Sequence, residues 1–67
     1  MMEPKKRWIV TLAARHANRP DQPFENIEFI SYGDSRSYAT NSAWLDAEEK
    51  GWEIFSVVGA REERLPS

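Results

Sequence analysis

The chain has 67 residues, 40% of them hydrophobic, with 9 Lys and Arg against 11 Asp and Glu, a formal net charge of −2 and no cysteine. A single domain this short buries only ~60% of the surface its unfolded chain exposes, so its core is small. The missing cysteines exclude disulfide scaffolds, cysteine-based zinc sites and thiol nucleophiles, and no apolar run approaches the ~18 residues of a membrane-spanning helix.

Three Trp, three Phe and two Tyr stand beside the Ile, Leu, Val and Met residues. A chain so rich in large apolar side chains is a folded domain, because disordered chains lack them. The basic start (Lys5, Lys6, Arg7) is followed by neither the apolar core nor the cleavage site of a signal peptide. A soluble, cytoplasmic protein of one domain is therefore expected, spanning 1–67 with frayed ends at 1–5 and 61–67.

Trp8 to Ala14 is aromatic and β-branched at its start and reads as a strand. Arg15 to Pro23 holds two prolines, Asn and Asp, and reads as a loop. Phe24 to Tyr32 is a second strand, completing a long-looped hairpin. Gly33 to Ser37 carries turn residues, since Gly, Asp and Ser suit tight backbone turns. A helix follows, with Ser37, Thr40 and Asn41 as candidate N-caps. Its end is set by Gly51, at the position where a left-handed residue closes a helix, with Lys50 beside it at the negative end of the dipole. Thr40, Ala43, Trp44 and Ala47 share one helical face, with Leu45 at its edge. Ser42, Asp46, Glu49 and Lys50 share the other. Trp52 to Gly59 is the third strand, and the charged tail from Ala60 is unstructured.

The expected fold class is α+β, in the order β-β-α-β. It has a three-stranded, mainly antiparallel sheet, strand one at its centre and one helix packed on one face. Within the sheet, alternation places Trp8, Val10 and Leu12 on one side of the first strand and Ile9, Thr11 and Ala13 on the other. The second strand divides into Ile27 and Phe29 against Phe24, Ile30 and Tyr32. The third divides into Trp52, Ile54 and Val58 against Phe55 and Val57. Each strand thus carries large apolar groups on both sides, and one helix covers one side. The expectation is a non-enzymatic interaction protein, homo-oligomeric or bound to a protein partner through the uncovered face or a strand edge.

Few residues present chemistry. His16 is the single histidine and has neither a second histidine nor a carboxylate cluster at ligand spacing, so it reads as a solvated loop residue. It joins Arg15 and Arg19 as a contact candidate in the loop. Asp46, Glu48, Glu49 and Glu53 form an acidic run that reads as a wet helix face, and paired-carboxylate catalysis needs one member buried. Gly33 to Ser37 with Arg36 precedes a helix, where backbone amides can hold an anion, although capping alone explains the composition. Trp44 and Trp52 read as core at the helix–sheet joint, while Trp8 and Tyr32, at strand ends, are the aromatics expected at a contact surface. The second reading, from a different class, is a sequestering protein that holds an anionic nucleotide-like ligand at a subunit interface through Arg15, Arg19 and Arg36. No metal and no cofactor are implied.

Nucleic acid is disfavoured. Residues 1–20 are net positive (Lys5, Lys6, Arg7, Arg15 and Arg19 against Glu3), but the two basic groups lie at opposite ends of strand one. At ~3.3 Å per residue they stand roughly 25 Å apart, and residues 21–53 are strongly acidic.

The stretch Ala47-Glu48-Glu49-Lys50-Gly51-Trp52-Glu53-Ile54-Phe55-Ser56-Val57-Val58 resembles small bacterial and phage domains of unknown function, in which a helix ends in Gly-Trp-Glu before a hydrophobic strand. The likeness extends to Arg7-Trp8-Ile9-Val10-Thr11-Leu12 and covers about a third of the chain. It implies a structural motif in which Gly caps, Trp plugs the joint and Glu stays wet, and it brings no catalytic residues. Those domains often carry a further strand where this chain has its charged tail. By analogy with small phage-encoded proteins, the interaction reading takes the form of an inhibitor of a host protein.

Overall fold

The computed structural model describes residues 6–63. Its elements run β1 (Lys6–His16), β2 (Glu25–Gly33), α1 (Arg36–Glu49) and β3 (Trp52–Glu63). The strands form one sheet in the order β2-β1-β3, with both outer strands antiparallel to β1. The expected α+β class, element order and central strand are all present.

This topology dictates where the helix goes. Because β2 and β3 both run against β1, they are parallel to each other, and the chain must cross the sheet to get from the end of one to the start of the other. The crossover is α1, and it lies over β1. Within β1 the buried residues run from Trp8 to Ala14, about 20 Å of strand, and a 14-residue helix is about 21 Å long. Helix and buried stretch match in length.

The core is built from alternate residues of β1, with Val10 and Leu12 both 0% exposed. Against them lies a ridge of Ala39, Ala43 and Ala47, spaced four residues apart and therefore stacked on one side of α1. Three alanines let the helix backbone approach the sheet closely. Half-buried Phe29, Trp44, Trp52, Ile54, Val57 and Ala60 close the sides. Trp44 and Trp52 are at the joint as expected. Ala39, absent from the helical face read in the sequence, is one of its centres.

The helix starts two residues earlier than any cap read in the sequence. Ser35 is the N-cap: its backbone is extended, and its Oγ accepts from the Tyr38 N–H at 3.2 Å. The other end is as expected, with Gly51 at φ +94°, where a side chain would be strained. Lys50 is the C-cap residue, and its ammonium pairs with Asp46 at 3.0 Å.

Three sequence expectations are corrected. Arg15 and His16 belong to β1 and not to the loop, because they pair with Glu53 and Trp52 of β3. Residues 61–63 are strand and not frayed tail, since Arg61, Glu62 and Glu63 pair with Ile9, Trp8 and Arg7. The expected fraying at 1–5 and 64–67 lies outside the described residues. Finally, Val57 faces the core in place of Val58. Register shifts between Thr11 and Leu12, and between Ala13 and Ala14, leave Val58 and Phe55 without partners. Each is an extra residue in the strand, a β-bulge, which displaces the alternation by one. The inward set in β3 is therefore Trp52, Ile54, Val57 and Ala60.

Candidate functional site

With α1 on one side, the other side of the sheet is open among the described residues. Antiparallel register assigns its residues, because side chains directly opposite one another share a face. Tyr32, Arg7 and Glu63 form one row, and Ile30, Ile9 and Arg61 the next. Glu28 lies opposite Thr11, and Asn26 and Ser56 flank Ala13. Four of the exposed large apolar residues belong to this face: Ile30, Tyr32, Val58 and Phe55, the last 70% exposed. The two bulges add Phe55 and Val58 to it.

At the loop end of this face the side chains form a connected cluster. The Arg15 guanidinium donates to both carboxylate oxygens of Glu53, at 3.2 and 3.1 Å, and to the Gln22 carbonyl at 3.2 Å. It also lies over the Phe24 ring, 4.2 Å from its centroid, and Phe24 meets Phe55 at 5.2 Å. Ala13, whose side chain is one methyl, leaves room for the two rings to meet above β1. Arg15 thus ties the hairpin loop to β3. Two inner turns tighten that loop, with the Arg19 N–H donating to the His16 carbonyl and the Gln22 N–H to the Arg19 carbonyl.

Towards the other end the face is bridged by charge. Arg61 of β3 reaches Glu28 of β2 across the central strand at 3.8 Å, and Arg7 lies 3.5 Å from Glu63. The Arg61–Glu28 pair is largely solvent-exposed, where an ion pair is worth ~0–1 kcal/mol, while Arg7 and Glu63 are half-buried. Their aliphatic stems still cover apolar surface.

The candidate contact residues do not converge. Trp8 is not a surface aromatic: it is 9% exposed, and its indole N–H donates to the Gly33 carbonyl at 3.0 Å. The strand end where it sits is roofed by the start of α1. Tyr32 is 53% exposed on the open face, as expected. His16 lies on the helix side of the sheet and stacks on Trp52 with centroids 4.3 Å apart. Arg19 is exposed in the loop, and Arg36 is exposed as the first residue of α1. Arg36 follows the Gly33 end of β2, which pairs with Lys6, so Arg15 and Arg36 lie at opposite ends of β1, roughly 30 Å apart. The three arginines of the sequestration reading share no site within one chain. Glu48 and Glu49 are exposed. Among the described residues no three His, Asp or Glu side chains group as metal ligands.

The Arg15–Phe24–Phe55–Glu53 cluster escaped sequence reading, because no local pattern announces a bulge. Gly59, beside one of the bulges, has an ordinary φ.

No family model, no curated protein and no solved structure matches the chain. The fold and the surface themselves carry the functional argument.

Proposed function

We propose that this chain is a small, non-enzymatic protein-interaction domain, homo-oligomeric in the first instance, that works through the part of its sheet α1 does not cover. One observation carries the reading: Ile30, Tyr32, Phe55 and Val58 are exposed together on a sheet face that no element among the described residues covers. An exposed apolar group standing alone needs no explanation, but a group of them on one uncovered face marks an interaction surface. Two side chains that could take part in chemistry are already engaged, His16 by its stack on Trp52 and Arg15 by Glu53.

Sedimentation velocity across the micromolar range, joined to affinity capture from a cell lysate, tests the reading. A sedimenting species heavier than one chain, or a partner retained in proportion to the bait and lost with a Phe55→Ser and Val58→Ser double variant, is the expected result. A monomer that retains nothing overturns it.

A further inference from the structure

The two edges of the sheet are built differently. β3 is bulged at Phe55 and Val58 and ends in Arg61-Glu62-Glu63. Bulges and charged residues are what natural sheets use to blunt an edge against pairing. β2 carries two charged residues, Glu25 at its start and Glu28, but no bulge. Its nine residues pair with β1 in unbroken register from Glu25 to Gly33, and the strand holds no proline and no lysine. Its outer backbone groups face no other strand among the described residues. An unbroken edge of nine residues is about 30 Å of pairing template.

We infer that β2 is the docking edge and that its occupant is β2 of a second copy, paired antiparallel about Phe29. The inference rests on the reading of this chain as a self-associating domain, and it moves the contact from the open face to the sheet edge. Three observations select the second copy. The midpoint of Glu25–Gly33 is Phe29, so a two-fold axis there pairs the whole strand with its own copy. In that register Glu25 lies opposite Gly33 of the partner subunit, and Glu28 opposite Ile30 of the partner subunit. Neither carboxylate meets a carboxylate, the arrangement that like charges on facing strands require. Beside the edge, Ser31 and Ala43 are buried small residues that, with Ser42 and Asp46, line a groove between β2 and α1. The same register sets Ile27 of the partner subunit opposite Ser31, on the helix side, where an apolar side chain fills that groove. Asp46 already has Lys50 as its counter-ion at 3.0 Å. The product is a six-stranded sheet with both helices on one side.

Ile30 provides the test, because it is exposed and either charge at its position removes the same apolar side chain. Ile30→Glu sets a carboxylate opposite the partner's Glu28 twice per dimer, and Ile30→Lys sets an ammonium there. Sedimentation equilibrium is expected to give a dissociation constant about tenfold higher for I30E than for I30K, or ~1.4 kcal/mol. Equal weakening by both variants, as docking through the open apolar face demands, overturns β2 pairing, and so does no change in either. The chain has no native cysteine, so disulfide trapping reads the register directly. A mixture of Glu28→Cys and Ile30→Cys chains is expected to cross-link, and neither variant alone, because like positions then lie on a diagonal ~7–8 Å apart. A wild-type chain that stays monomeric through the micromolar range overturns self-pairing, while retention of a foreign protein in that case leaves the interaction reading standing.

Discussion

Opposite sides of β1 are made from neighbouring residues and play opposite parts. Val10 and Leu12 are fully buried beneath the alanine ridge of α1, while Ile9, Thr11 and Ala13 between them are only half-buried. The helix side is held by close packing of small against large. The open side is held by reach: Arg15 to Glu53 and Arg61 to Glu28 lay stems across the strands. The difference teaches why one helix is enough to fold this sheet. Stability is concentrated on one face, and the other keeps apolar side chains exposed.

Substitutions on the two faces should therefore have very different costs. The largest effect is expected for Leu12→Ala, where a filled site 0% exposed becomes a cavity. The loss of about 2–5 kcal/mol compares with a total stability of about 3–10 kcal/mol for a chain this size, so the urea midpoint should fall by a large fraction of its wild-type value. Next is Trp8→Phe, which keeps the ring but removes the donor to the buried Gly33 carbonyl. Leaving that acceptor unpaired should cost about 1–3 kcal/mol, read as a fall in melting temperature of several degrees per kcal/mol. Gly51→Ala tests the helix end, since φ +94° at that position suits glycine. A loss of about 1–2 kcal/mol is expected, with little change in the far-ultraviolet circular dichroism of the remaining folded protein. At the bottom of the scale stands Val58→Ser on the open face, expected to move stability by no more than about 0.5 kcal/mol in dilute solution. If Val58→Ser costs as much as Leu12→Ala, the open face is a second core and the contrast fails. The Ile30 charge pair then sharpens the comparison from faces to edges, because it reads association with the core untouched.

Much of this was open to a reader of residues alone. Alternation from Trp8 to Leu12 separated the two sides of β1, and Gly51 after a helical run gave the end of α1. The division of β2 into Ile27 and Phe29 against Ile30 and Tyr32 also agrees with the fold. These features are encoded by neighbours in the chain, through periodicity and backbone preference. Other features were not. Trp8 stands at a strand end, which reads as exposed, and only the approach of α1 buries it. Ser35 looks like one turn residue among several until its Oγ meets the Tyr38 N–H.

The sequence by itself determined the order β-β-α-β, which strand must be central and the fact that one helix faces a sheet apolar on both sides. Those follow from local propensity and from the rule that each apolar face seeks cover. Only the tertiary structure decided where β3 bulges, and with it which of Phe55, Val57 and Val58 turn outward. It also decided that Arg15 joins β3 through Glu53 while Arg36 stays at the far end, and that β2 is the edge without a bulge. Each of these depends on pairing between residues far apart in the chain, where a shift of one residue reverses which side a side chain faces.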